Sequence, residues 1–301
     1  MAGESLSVAS ARHLAYAPQY AARELGFFSR EGLDVDLVAC PVGDTAIIHT
    51  LQRGEADLVL GSVLFALRMA EEGLSPRVVA QSNQQTRHWL MARGGSAAPF
   101  EWTALSGRSV LVYPNAVPTP WVAFREALVR KGICLDGIGL IIGYSAEQAL
   151  AEFSRGVGDF LLVDPESVDP RLGLVEAASV AAAIGPVPWS VYCTTSAIAA
   201  RRENAIAAFR SAVAAAAAWL YASPAAEAAA LLAGLFPERG KGELATQVAR
   251  YVRARLWVAD ARMDAAQFVT WDAALKRGGL MPRGLDLMQL CGPLFPDGTP
   301  S

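Results

Sequence analysis

Polar side chains recur immediately after short apolar runs, and their types suit recognition better than bond-making. After Leu6-Ser7-Val8-Ala9 comes a loop carrying His13 and Tyr16. Gly43, Asp44 and Thr45 open the next helix, and Gly61-Ser62 close the run Leu58-Val59-Leu60. Asn83 lies in the polar stretch Gln81 to Thr86. Further on, Tyr113 ends the strand begun at Ser109, and Asn115 and Thr119 belong to a proline-rich loop ahead of Trp121. Asp164 ends the run Asp159 to Val163, and Trp189 stands between Pro188 and Ser190. The aromatic rings offer apolar area to a ligand. Amides and hydroxyls offer hydrogen bonds, and Asp164 offers a partner for an amine. Free N–H groups at a helix start, such as the one holding Pro18, carry a partial positive charge that suits an anion. Each residue also has a plain structural use: Asp44, Thr45 and Asp164 as caps, Trp189 as core.

No catalytic motif accompanies them. The chain lacks a GxGxxG in the right setting, a phosphate loop, an HExxH and a nucleophile elbow. His13, His49 and His88 are scattered, and His49 falls within a helix. Four cysteines, Cys40, Cys134, Cys193 and Cys291, are far apart and form no CxxC pair. Cys40 and Cys134 adjoin apolar runs and are expected to be buried thiols. Neither a metal nor a cofactor is expected. Lysine occurs only at Lys131, Lys241 and Lys276, which limits Schiff-base chemistry. The formal net charge of -3 argues against a nucleic-acid partner.

The elements that must position these residues alternate. Strand, loop and helix repeat through the first sixty residues and again from Ser109. A helix, Arg-Gly, a short spacer, Asp and an apolar strand occur as Arg53-Gly54 to Leu60 and as Arg155-Gly156 to Val163. Ser145 and Gln148 have the spacing of a reciprocal capping box. This alternation predicts an α/β architecture on one plan used twice. In such sheets ligands bind at the loops following the carboxyl ends of strands. From Ala197 onward the chain reads as mostly helical. Arg210, Pro224 and Glu227 interrupt the alanine-rich segment 205–236, which predicts a buried or amphipathic helix pair and no membrane span. The start, MAGESLSVAS, lacks the features of a secretory signal.

The stretches HLAYAPQYAARELGFFSREGLDVDLV, RGEADLVLGS, LSGRSVLVYPN and FVTWDAALKRGGLM, in this order, resemble the ABC-importer solute-binding proteins of the nitrate, sulfonate, taurine and thiamine-precursor type. The resemblance implies the two-lobed periplasmic-binding-protein fold of type II, each lobe a mostly parallel sheet flanked by helices. Residues 1–92 with 190–301 would form one lobe and 93–189 the other. It implies a monomer that closes on a small organic solute and hands it to permease subunits outside the cytoplasmic membrane. A start without a signal fits a mature form outside the cytoplasmic membrane, or else a cytoplasmic enzyme or metabolite sensor on the same fold, the alternative, acting on an aromatic or heterocyclic metabolite. The pyrimidine synthase of this group carries a lysine and a histidine where this chain has Gly61 and Phe65. The related desulfinase uses a cysteine in the first loop, where this chain has His13.

Overall fold

The computed structural model describes residues 4–40, 45–94, 99–113, 118–282 and 284–291. The chain divides into one unit of residues 1–85, 188–270 and 284–301 and a second of 86–187 and 271–283.

The first unit is built on β1 (Glu4–Ala11), β2 (Leu33–Cys40), β3 (Leu58–Ser62), β4 (Pro76–Asn83) and, much later in the chain, β10 (Ser190–Thr195). Their order across the sheet is β2-β1-β3-β10-β4. β1 pairs in parallel with β2 and β3, whereas β10 runs antiparallel to both β3 and β4. The second unit uses β5 (Trp89–Arg93), β6 (Ser109–Leu111), β7 (Gly139–Ile141), β8 (Phe160–Val163) and β9 (Leu174–Ser179). Their order is β7-β6-β8-β5-β9, with β5 antiparallel to β8 and β9. The plan is the same in both. Four strands point one way, and a fifth, reversed, is inserted beside the last of them.

The Arg-Gly…Asp repeat in the sequence has a structural cause. Asp57 Oδ2 accepts from the Ser7 backbone N–H at 3.0 Å and from Ser7 Oγ at 3.2 Å, while Asp57 N donates back to Ser7 O at 2.9 Å. Asp159 does the same to Ser109, accepting from its N–H at 2.8 Å and its hydroxyl at 2.7 Å and donating to its carbonyl at 2.9 Å. These bonds hold the Asp159 carboxyl below the usual carboxylate range, the Ser109 N–H foremost. Each carboxylate ties the start of one strand to that strand's parallel neighbour and satisfies donors the ladder leaves over. Arg202 lies 3.4 Å from Asp57 Oδ1 and adds a charge partner. Hydrogen bonds to an ionised acceptor contribute about 1.5–3 kcal/mol each. Asp57→Ala is therefore expected to lower the free energy of unfolding by about 2–3 kcal/mol, measured by urea denaturation. A change within experimental error would show that water replaces the latch at no cost.

The core of the first unit lies between its sheet and helices Ala17–Glu24 and Glu203–Ala222. Small residues such as Ala21, Ala22, Ala212 and Ala216 are fully buried and let the helices approach closely. Phe209 stacks on Phe28 at 5.4 Å and meets Tyr192 edge-on at 4.9 Å. Buried Gln19 is satisfied by Ser10 Oγ at 2.9 Å. The second unit has a smaller core around Met91, Leu111, Phe153 and Leu161, and its Ser145–Gln148 capping box forms in both directions.

Three expectations need correction. Among the described residues, helix Glu203–Ala222 is long and apolar enough to cross a membrane, although interruptions suggested no such run. Arg210 is a single charge in its middle, and Pro224 falls beyond its end. The helix packs Ile206, Phe209, Val213 and Leu220 into the core, the behaviour of a core helix. Cys40 and Cys134 are not buried: Cys40, at the end of edge strand β2, is half-buried, and Cys134 is exposed. Cys134 precedes a 3-10 turn, Leu135–Gly137, that buries none of its residues. Finally, the polar stretch after Ala80 is strand as far as Asn83. Gln81 N donates to Ala261 O, Val258 N to Ser82 O and Gln84 N to Leu256 O, so the backbone here is bonded beyond the sheet as well as within it.

Candidate functional site

The parallel pairing of β1, β2 and β3 brings their carboxyl ends to one edge, with Ala11 opposite Cys40 and Ser10 opposite Leu60. The reversed β10 begins at that same edge, where Ser190 pairs with both Ser62 and Asn83. His13, Tyr16, Gly61, Ser62, Asn83 and Trp189 are thereby brought to one edge of the first sheet. His13 caps the 3-10 turn Leu14–Tyr16, its Nδ1 accepting from Ala15 N at 3.1 Å. Its ring lies 6.0 Å from that of Tyr16. Ser62 Oγ accepts from Leu64 N at 3.3 Å. Asn83 is buried; its carbonyl accepts from Trp189 N at 3.0 Å, and its Nδ2 has no hydrogen-bond partner among the described residues. The Asn83 Oδ1 accepts from Ser82 Oγ at 3.4 Å, which leaves the amide donor available to a water or another acceptor. Thr45 begins the 3-10 turn Thr45–Ile48. Gly43, Asp44 and Asn115 lie outside the described residues.

The second sheet presents an equivalent edge. β6 leads to Tyr113, β8 ends at Asp164, and the reversed β5 starts after Arg87-His88. Asp164 accepts from Glu166 N at 3.0 Å and so caps the turn Pro165–Ser167. Its other oxygen lies 3.3 Å from Arg87 Nε, with only 12% of the Asp164 side chain and 17% of Arg87 exposed. Arg87 was not foreseen from sequence. It lies 77 positions from its partner, and no local pattern marks the pairing. Asp164 is thus half of an ion pair and not a lone carboxylate. Burial, followed by the Asp164 charge, raises the pKa of the Tyr113 phenol well above its ordinary value. Desolvation lowers His88 to about 4, so its imidazole is neutral at pH 7. Thr119 is buried in helix Pro118–Arg130, and Trp121 is half-buried with Arg125 over its ring at 5.8 Å. Thr119 is therefore a helical residue rather than part of the loop, and Trp121 lies in the same helix, as its sequence suggested.

Two further residues shape the first edge. Trp257 donates through Nε1 to Ala15 O at 2.8 Å and bridges to the Asn83 backbone. Phe65, at the start of helix Phe65–Glu71, lies against Gly61.

Residues 14–133 match the family described as NMT1/THI5 like. YtlA of Bacillus subtilis (strain 168), a binding protein by name, is 23% identical over 290 residues, covering 95% of this chain and 86% of YtlA. Among solved structures, the periplasmic aliphatic sulphonate binding protein SsuA from Escherichia coli superposes with a TM-score of 0.74 at 16% identity, covering 95% of this chain and 96% of SsuA. The alkanesulfonate-binding protein SsuA from Xanthomonas axonopodis pv. citri, bound to MOPS, gives 0.68 at 14% identity, covering 96% of this chain and 98% of that one. The resemblance read from the sequence motifs thus holds in sequence and in fold. Residues 14–133 thus resemble the NMT1/THI5-like family, and the chain has the two-sheet α/β fold of the periplasmic binding proteins.

Proposed function

We propose that this chain is a solute-binding protein of the ABC-import type, taking a small organic molecule at the carboxyl-terminal edge of its first sheet and delivering it to permease subunits. The observation that carries this reading is the edge of the first sheet. His13, Tyr16, Asn83 and Trp189 come from distant parts of the chain to one edge, and the buried Asn83 amide keeps a donor open. A rim of rings and amides binds by apolar contact and a few placed hydrogen bonds. The two SsuA proteins, by their names, bind sulfonates, and sulfonates together with thiamine-precursor pyrimidines are the classes proposed here. Work outside the cytoplasmic membrane follows from the same reading.

Thermal-shift titration with ethanesulfonate, taurine, nitrate, aminopyrimidines and flavin precursors tests it. A ligand at a hundred times its Kd adds about 2.7 kcal/mol of stability, which moves the melting temperature by several degrees. Native mass spectrometry is expected to show the bound compound at its unaltered mass. A panel without any stabilisation would overturn the proposal.

A further inference from the structure

We infer that Phe65 is a specificity-determining residue: its ring forms an aromatic wall at the carboxyl edge of the first sheet and selects an aryl-bearing ligand over an alkyl one. The inference rests on the solute-binding reading and concerns which solute that edge accepts.

Gly61 is the penultimate residue of β3, and the strand's end leads directly into helix Phe65–Glu71. A Cβ on Gly61 would fall 2.6 Å from Phe65 Cζ and 3.0 Å from Cδ2, with Cε2 nearer still. One edge of the phenyl ring therefore lies directly on the bare backbone of the strand. Gly61 is not among the glycines with positive φ. Its backbone is ordinary strand, open to any residue, so the absence of a side chain serves the ring and not the chain's conformation. In the same helix Ala66, Leu67 and Met69 are buried, whereas Phe65 is only half-buried. The ring is thus held along one side against Gly61, keeps part of its surface exposed, and stands three residues beyond the carboxyl end of β3.

What lies beside the ring agrees with this role. The next row across the sheet, Ser62, Ser190 and Asn83, leaves the strand on the face opposite Gly61, so the ring and this polar row flank the strand end from its two sides. Adjacent strands are about 4.8 Å apart, which places Asn83 two strands, or roughly 10 Å, from Ser62. The Asn83 Nδ2 is the buried donor without a partner among the described residues. Arg12, the nearest cation in the first loop, is turned to Glu238 at 3.0 Å and to Leu235 O. The edge so composed suits a flat ring bearing a hydrogen-bond acceptor at its far end. Offset ring stacking contributes about 0.5–1.5 kcal/mol beyond the area it buries, and an alkyl chain forgoes it.

Isothermal titration with naphthalene-2-sulfonate and ethanesulfonate tests the inference on the full chain, with Phe65→Ala and Phe65→Leu as variants. The leucine variant keeps the apolar contact with Gly61 and removes the π-face. The expected result is tighter binding of naphthalene-2-sulfonate by the natural chain. Both variants are expected to lose about three- to tenfold of that affinity while their ethanesulfonate binding stays within about twofold, a difference too small for a stacking contact. Equal losses for both probes, or no loss for either, would overturn the assignment, since a merely structural residue does not discriminate between them. If the natural chain binds ethanesulfonate but not the naphthalene probe, the aryl preference fails while solute binding stands. If it binds neither probe, the inference also fails, and the wider ligand panel decides the solute-binding reading separately.

Discussion

Replacing Trp257 by alanine is expected to lower the free energy of unfolding by about 3–5 kcal/mol, the usual range for emptying a buried aromatic site. The indole is fully buried and is held from every side. Tyr251 and Tyr221 meet it edge-on at 5.9 and 5.7 Å. The Tyr221 hydroxyl donates to Trp257 O at 2.7 Å and accepts from Trp257 N at 2.9 Å. Nε1 donates to Ala15 O at 2.8 Å, two residues beyond His13, and the backbone bridges to Asn83. One residue from the helical carboxyl-terminal half thus pins both the first loop and the end of β4. Trp257→Phe keeps most of the volume but orphans the Ala15 carbonyl, at a cost of about 1–3 kcal/mol. Urea denaturation measures both variants. A loss below about 1 kcal/mol for the alanine variant would mean that the core collapses into the space, against the usual behaviour of large-to-small changes.

The second large effect is a pH dependence carried by His88. Its ring is buried beside Thr86 Oγ1, 3.3 Å from Nδ1, and desolvation lowers its pKa from 6.5 to about 4, with Arg87 adding to the shift and Asp164 opposing it. Between these values the unfolded chain takes up a proton that the folded chain refuses. The contribution is therefore complete above about pH 6.5 and is lost progressively as the pH falls toward 4. A shift of this size corresponds to about 3 kcal/mol. Urea titrations at pH 7, 5.5 and 4.5 are expected to show that decline. His88→Asn removes the titrating group, and its stability should fall less steeply over the same interval. Identical slopes for the two proteins would show that another group carries the dependence.

Much of the local structure was legible in the sequence because it depends on neighbours along the chain. The alternation of apolar runs and polar loops located most strands and most helices, but not β9. The Ser145–Gln148 spacing identified a capping box that the structure contains. The repeated Arg-Gly…Asp pattern foretold one plan used twice, since each Asp bonds to the parallel neighbour of its own strand. The polar residues of the first sheet that were singled out do converge on one edge, as parallel strands require. Their part in binding stands as proposed above.

Other features had no local signature. Cys134 adjoins apolar residues yet is exposed, because exposure depends on what packs over a turn. Gln81 and Asn83 read as loop yet are buried strand, because Trp257 and its neighbours supply bonds from far along the chain. Chain order and hydropathy thus determined which segments become strands and helices and which loops follow them. Tertiary structure alone decided that β10 enters its sheet reversed, that Arg87 faces Asp164, and that a phenyl ring rests on Gly61. The reason is physical. Periodicity and caps are set within a few residues of backbone, whereas ion pairs, burial and strand neighbours depend on contacts whose partners the sequence does not mark.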